Sequence, residues 1–109
     1  MGIGGIRIEQ SQDLGSSIVQ HSTVQRNAGI GISVSSGAAR YNVADVNRFD
    51  GIFVFSGSAS YNVVTRNTRG INLGVSASAF GNTAVDNFAG NLTGANLGQN
   101  HCTGTGGPC

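Results

Sequence analysis

The chain has 109 residues, of which 39% are apolar, 10% are charged and 18 are glycines. A chain of this length buries one modest core, so a single domain over residues 1–109 is expected. The formal net charge of +1 offers no basic surface for nucleic acid or for an anionic membrane. No apolar run of about 18 residues is present, so no membrane span is predicted.

The first predicted element is a core strand at Gly5-Ile6-Arg7-Ile8. The start of the chain lacks the basic segment and the apolar stretch of a secretion signal, and no capping element precedes the strand. The chain is therefore expected to be either cytosolic or a mature or excised piece of a longer protein, and the uncapped strand favours the piece. The coil that follows is about six residues longer than the later ones, and residues 9–17 are expected to bulge outward as a loop.

Asparagines then recur in two series with a period of twenty residues. Internal repetition of this length is typical of a solenoid of stacked coils. Asparagine tolerates the left-handed backbone of a tight corner, and its amide both donates and accepts, so each side chain is expected to bond to its equivalent one coil away. Each such bond contributes about 1 kcal/mol. The first ladder comprises Asn42, Asn62 and Asn82, and the second ladder comprises Asn27, Asn47, Asn67 and Asn87.

One apolar motif occurs three times, as Gly31-Ile32-Ser33-Val34, Gly51-Ile52-Phe53-Val54 and Gly70-Ile71-Asn72-Leu73. Its alternation has the period of a β-strand. Twenty residues are too few for a strand-helix-strand unit and too irregular for an antiparallel hairpin, which leaves a parallel coil with right-handed winding. The spacing of nineteen between the last two motifs predicts one shortened turn and one lengthened neighbour. A second inward position is occupied by Val24, Ala44, Val64 and Ala84.

A further column at intervals of twenty contains rings as well as a glycine. Tyr41 and Tyr61 are expected to lie one above the other as an aromatic stack. The two histidines of the column are four coils, or about 20 Å, apart, so they are expected to be stacked members of the column and not ligands of one metal ion. The column is His21, Tyr41, Tyr61, Gly81 and His101.

The repeat decays after Asn87, as is usual for a terminal repeat that must cap the core. Residues 5–87 are therefore expected to be regular coils, with residues 88–109 forming a degenerate terminal coil and a tail. Asn67 has ladder neighbours on both sides and Asn91 lies in the decayed part. The sequence thus predicts a larger contribution to stability from Asn67 than from Asn91.

Cys102 and Cys109 are the only cysteines, and they lie close together near the C-terminus. Their spacing is not that of metal ligands, and no cluster of other ligands accompanies them. A disulfide that ties the tail is therefore preferred to a metal or redox pair. Such a bond indicates an oxidising location, extracellular or periplasmic.

The segment NVVTRNTRGINLGVS at residues 62–76 resembles the generic repeat of right-handed parallel β-helix proteins, a superfamily that includes pectate lyases, polygalacturonases and alginate epimerases. The resemblance covers about residues 5–100 and concerns the asparagine corner, the Gly-Ile-x-aliphatic strand and the small residues of the next corner. It implies an all-β fold, a right-handed parallel β-helix or single-stranded β-solenoid with about 20 residues per coil. These positions are architectural, and a fold does not determine a function.

The resemblance also implies that an enzyme of this kind would display carboxylates from adjacent coils on one outer face, to bind calcium or to act as an acid/base pair about 5–10 Å apart. No two acidic residues of this chain share a column in adjacent coils, so no catalytic residue, metal site or cofactor is predicted. Surface ion pairs are expected instead between Asp86 and Arg66 and between Asp50 and Arg69. The acidic residues are Glu9, Asp13, Asp45, Asp50 and Asp86.

The strand alternation places two phenylalanines on the outer face of the coils, where rings stack on sugars or on a partner unless a loop or neighbouring domain covers them. The sequence therefore favours a noncatalytic extracellular module, structural or surface-binding, whose partner is a polysaccharide or another copy of the chain. The alternative is a fragment of a pectate-lyase-like lyase, hydrolase or epimerase. We call the predicted surface the outer strip, and it comprises Ser33, Ser35, Phe53, Phe55 and Asn72.

Overall fold

A computed structural model describes residues 6–8 and 17–109, with side chains from residue 18 onward. Within these residues the chain forms thirteen β-strands and no helix, so none of this part crosses a membrane as a helix. The strands are β1 (Ile6–Ile8), β2 (Ser17–Gln20), β3 (Thr23–Gln25), β4 (Ile32–Val34), β5 (Gly37–Arg40), β6 (Val43–Asp45), β7 (Asp50–Ser60), β8 (Val63–Thr65), β9 (Arg69–Phe80), β10 (Thr83–Val85), β11 (Gly90–Thr93), β12 (Ala95–Asn96) and β13 (His101–Thr103).

The strands stack in parallel from coil to coil, which confirms the predicted parallel β-solenoid. It has about four turns. The larger sheet has eight strands, in which the long strands β7 and β9 connect two columns of shorter ones. The smaller sheet has five strands in the order β13-β10-β8-β6-β3. Each regular coil therefore supplies two segments to the larger sheet and one to the smaller sheet.

The register between coils has the predicted period and the predicted irregularity at its start. Ile32 lies opposite Ile52, twenty residues on, whereas Ile6 lies opposite Ile32, twenty-six residues on. The first coil is therefore six residues longer than the next. Of the loop expected at residues 9–17, residues 9–16 lie outside the described residues. Ser17 begins β2.

The core lies between the two sheets, where equivalent side chains stack along the solenoid. Its members are aliphatic and small, because the two sheets are joined by tight corners and approach each other closely. The inward face of the smaller sheet was predicted correctly. The buried core consists of Val19, Val24, Ile32, Val34, Ala39, Ala44, Ile52, Val54, Ala59, Val64, Ile71, Leu73, Ala77, Ala79 and Ala84.

Both asparagine ladders form, with the same set of hydrogen bonds on each internal rung. The backbone N and the Nδ2 of Asn47 both donate to Oδ1 of Asn67, at 2.8 and 2.9 Å. Nδ2 of Asn67 in turn donates to Oδ1 of Asn87 and to the carbonyl oxygen of Ala44, both at 3.0 Å. Each internal rung therefore satisfies a buried side chain and a buried backbone amide at the same time.

The left-handed corner residue is the one before each ladder asparagine, so the prediction that asparagine itself adopts that conformation was wrong. Tyr61 precedes Asn62 and has φ of 55°, and Arg66 precedes Asn67 and also has φ of 55°. Because the positive φ turns the chain at the preceding residue, the asparagine is left to point inward and to bond along the solenoid axis. Asparagine is needed at the ladder position for its side-chain amide and not for its backbone conformation.

A column of glycines makes room for the second ladder. A Cβ atom added to Gly31 would lie 2.8 Å from Nδ2 of Asn47, and one added to Gly51 would lie 2.5 Å from Nδ2 of Asn67. In the last coil Asn91 occupies the position that a glycine has in the earlier coils. Its Oδ1 accepts from the N and Nδ2 of Asn87 at 3.1 and 2.8 Å. The side chain of Asn91 thus takes the place that the next ladder asparagine would occupy.

Asn91 is therefore a terminal rung and not a residue of a decayed region, which removes the reason for expecting it to contribute less than Asn67. It is buried, and its Nδ2 donates to the carbonyl oxygens of Thr103 and Gly107 at 3.2 and 2.7 Å. The tail supplies both acceptors. The C-terminal residues thereby close the end of the second ladder.

The first ladder continues by a rung that the sequence pattern did not predict. The N and Nδ2 of Asn82 donate to Oδ1 of Asn100 at 2.9 and 2.8 Å, at a spacing of eighteen instead of twenty. Since this last coil is two residues short, His101 lies opposite Thr83 in the smaller sheet. The assignment of His101 to the column of His21 was wrong, and the equivalent left-handed position is Gln99, with φ of 55°.

The predicted disulfide joins Cys102 to Cys109, with 5.2 Å between their Cα atoms. Cys102 packs against the core from β13. The bond holds the tail where its carbonyl oxygens meet Asn91. A disulfide at this position is compatible with an oxidising compartment.

We expect replacement of both cysteines by serine to lower the free energy of unfolding by about 2–3 kcal/mol, because closure of a short loop restricts the unfolded chain. Chemical denaturation of the variant and of the parent measures the difference. Mass spectrometry without reductant should show a mass lower by two hydrogens than that of the reduced chain. Two free thiols in protein purified without reductant would contradict the pairing.

Candidate functional site: the outer strip

The structure brings three members of the outer strip into one column across adjacent coils. Ser33 lies opposite Phe53, and Phe53 lies opposite Asn72. The three side chains are half-buried and face away from the core, at the inter-strand spacing of about 4.8 Å. A flat ring is thus flanked by a hydroxyl on one side and an amide on the other.

The other two members lie farther along the same coils. Phe55 points outward from β7 with 57% of its surface exposed. Ser35 lies one residue beyond the end of β4, in the preceding coil. The outward direction predicted for both phenylalanines agrees with the alternating burial of β7.

A β-bulge beside Phe55 shapes the end of the strip. Val54 lies opposite Leu73, whereas Ser56 lies opposite Ser76, so β9 contains one extra residue at this point. The bulge restores the register that the nineteen-residue spacing had shifted. Val75 within it is 99% exposed, which places an isolated apolar side chain next to Phe55. The sequence predicted a lengthened turn but not this projection.

An ion pair predicted from the sequence lies at the edge of the strip. Nε of Arg69 donates to Oδ1 of Asp50 at 2.8 Å. The Asp50 side chain is only 3% exposed, and its second oxygen accepts from Nδ2 of Asn72 at 3.1 Å. The carboxylate therefore fixes the amide of the strip. Sequence reasoning missed this role of Asp50, because the contact spans twenty-two residues across two columns.

The ion pair predicted between Arg66 and Asp86 does not form. Arg66 instead donates to Asp45 from Nε at 3.0 Å and from Nη2 at 2.7 Å. Asp86 accepts from the backbone N of Thr105 at 2.9 Å. The arginine thus reaches back to the coil before its own, where it forms a two-pronged contact with the carboxylate.

Asp45 lies between Gln25 and Thr65 in the smaller sheet. Partial burial raises the pKa of Asp45, but the hydrogen bonds from Thr65 and Arg66 and the positive charges of Arg66 and Arg26 outweigh it, so the pKa lies below its ordinary value. The ionised form therefore stabilises the fold at neutral pH. That contribution is lost as the pH falls through the lowered pKa.

The predicted aromatic stack forms along one corner. The rings of His21 and Tyr41 are 5.4 Å apart between centroids, and those of Tyr41 and Tyr61 are 5.3 Å apart, with nearly parallel planes. Phe80 meets Tyr61 edge to face. Tyr41 is thus stacked against a ring on each side, whereas the rings of the outer strip lie on a sheet surface.

Among residues 18–109 the structure contains no group of three or more histidine, cysteine or acidic side chains arranged to hold a metal ion. The chemical capacity of the outer strip is for contact, since it combines aromatic rings with neutral donors and acceptors. No protein-family model, curated protein or solved structure shows significant similarity to this chain.

Proposed function

We propose that residues 1–109 form one noncatalytic extracellular module of the pectate-lyase-like β-helix type, whose outer strip binds a polysaccharide. The observation that carries this proposal is the column in which Phe53 lies between Ser33 and Asn72, with Phe55 exposed beside it. The apolar face of a sugar ring packs on an aromatic ring, and its hydroxyls bond to neighbouring polar groups.

The strip is organised before any ligand arrives. Asn72 is held by Asp50, and Asp50 is held in turn by Arg69. Phe53 is half-buried between neighbouring strands. Side chains that are already ordered lose less conformational freedom on binding, so a larger part of the contact energy appears as affinity.

Three further observations support a binding module over an enzyme fragment and support an extracellular location. Asp45 and Asp50 each bond to an arginine, and Asp86 bonds to a backbone amide. These carboxylates thus serve the fold. The disulfide between Cys102 and Cys109 suits an oxidising compartment outside the cytosol.

The test is the double substitution Phe53→Ser and Phe55→Ser. We expect it to weaken binding to a polysaccharide roughly tenfold or more, as measured by affinity electrophoresis against a panel of neutral and acidic polysaccharides. The fold should survive, because both rings lie outside the core. Phe88→Ser is the matched control, since Phe88 is 77% exposed but lies outside the strip.

Three results would count against the proposal. Unfolding of the double variant would mean that the rings belong to the core. Unchanged binding, or equal loss in the Phe88 control, would mean that the strip is incidental. Loss of a dimer in light scattering, without any change in polysaccharide binding, would identify the strip as a contact between copies of the chain.

A further inference from the structure

A shallow groove lies at the corner that leads from the smaller sheet to the larger one, away from the outer strip. It spans two adjacent coils and has an exposed arginine at each end, Arg26 in one coil and Arg48 in the next. We call it the arginine groove. Its lining residues are Arg26, Asn27, Ala28, Val46, Asn47 and Arg48.

Backbone hydrogen bonds at this corner fix the main-chain positions of both arginines. The N of Arg26 donates to the carbonyl oxygen of Asp45 at 3.2 Å, and the N of Arg48 donates to that of Asn27 at 3.0 Å. Between them, Nδ2 of Asn27 donates to Oδ1 of Asn47 at 2.9 Å. The two arginines therefore flank a rung of the second ladder and extend from a rigid base.

The charge around the groove is positive. Arg66 follows in the next coil, so three arginines lie near this corner, and among the described residues Asp45 is the carboxylate whose charge interacts with Arg26 and Arg66. Both oxygens of Asp45 are engaged by Arg66. Among the described residues, Asp45 therefore balances one of the three guanidinium groups, and the groove keeps a net positive charge.

The floor of the groove is apolar and strained. Val46 is 38% exposed and has φ of 57°, a conformation that is uncommon for a β-branched residue and costs about 1–3 kcal/mol. Together with Ala28 it gives the groove a floor with few competing hydrogen-bond groups. Guanidinium groups beside such a floor bind oxyanions through paired N–H donors.

We propose that the arginine groove is a binding site for a sulfate-type oxyanion, either free or as an ester group on a polysaccharide, held between the guanidinium groups of Arg26 and Arg48. The apolar floor accepts the non-ionic part of an ester. This site is independent of the outer strip, which lies on the larger sheet and carries no charge of its own.

The experiment compares inorganic sulfate, dextran sulfate and unsulfated dextran as probes, in calorimetric titrations with chloride used to hold the ionic strength constant. The variants are Arg26→Gln, Arg48→Gln and their combination. Arg40→Gln is the matched control, because Arg40 lies on β5, donates from Nε to Gln20 at 3.0 Å and does not line the groove. Thermal unfolding confirms that each variant is folded.

We expect the sulfated probe to bind the parent protein, with affinity falling roughly tenfold for each groove arginine removed and less than twofold in the Arg40 variant. Binding of free sulfate would identify a small oxyanion as sufficient, whereas binding of dextran sulfate alone would identify the ester on a polymer. Amide chemical shifts of Ala28 and Val46 should move on titration of the parent, which locates the site without any substitution.

The proposal is overturned if neither sulfated probe binds the parent, if unsulfated dextran binds equally well, or if the Arg40 variant loses as much affinity as the double variant. The Phe53 and Phe55 double variant should retain oxyanion binding. Loss of polysaccharide binding at the outer strip and loss of oxyanion binding at the arginine groove are therefore tested in separate variants.

Discussion

Replacement of Asn67 by alanine is expected to lower the free energy of unfolding by about 3–5 kcal/mol. Asn67 is buried. Its Oδ1 accepts from the N and Nδ2 of Asn47, and its Nδ2 donates to Asn87 and to Ala44. Truncation leaves these groups in the core without partners, and each unsatisfied buried polar group costs about 1–3 kcal/mol. Chemical denaturation monitored by circular dichroism measures the loss.

Asn27→Ala is the matched control at the other end of the same ladder. Asn27 is half-buried, and within the described part of the chain its side chain donates one bond, to Asn47, whose Oδ1 also accepts from the backbone N of Asn27. We expect a loss of about 1 kcal/mol. Equal losses in the two variants would refute the internal ladder as the source of stability. Asn91→Ala should resemble Asn67→Ala, because the structure gives Asn91 the same number of side-chain bonds.

Replacement of Gly57 by alanine is expected to destabilise the protein by about 4 kcal/mol. Gly57 lies in β7 opposite Gly37, and a Cβ atom at this position would overlap the carbonyl oxygen of Gly37. Its φ of 127° is also unfavourable for a residue with a side chain. Because the obstacle is backbone, relief requires β5 and β7 to separate. Thermal and chemical unfolding both measure this cost.

Gly98→Ala separates the cost of the steric clash from the cost of the positive φ. Gly98 has φ of 116°, close to that of Gly57, but an added Cβ would meet no atom within 4 Å. We expect a loss of about 1–2 kcal/mol from backbone strain alone. If both substitutions cost the same, the close approach of Gly57 to Gly37 is not a determinant of the fold.

The architecture was predictable from the sequence because the same local choices recur in every coil. Ile32, Ile52 and Ile71 repeat one strand position, and the two asparagine ladders repeat two corners, so the register of one coil specifies that of the next. A period of twenty residues is compatible with few folds. In a parallel β-solenoid each repeat forms one coil, and each coil lies about 4.8 Å from the next, the ordinary distance between paired strands. The outward direction of Phe53 follows from the same alternation, because a slip of one residue would bury the opposite face.

The tertiary structure alone decided how the repeat ends and which partners side chains choose across coils. Asn91 and Asn100 continue the ladders at spacings of four and eighteen, and a periodic pattern contains no signal for them. Arg66 has a side chain long enough to reach either neighbouring coil. It pairs with Asp45, whereas Asp86 accepts from the backbone N of Thr105 in the tail. Such pairings depend on contacts between residues distant in sequence, whereas the repeat depends only on the residue types that equivalent positions of successive coils share.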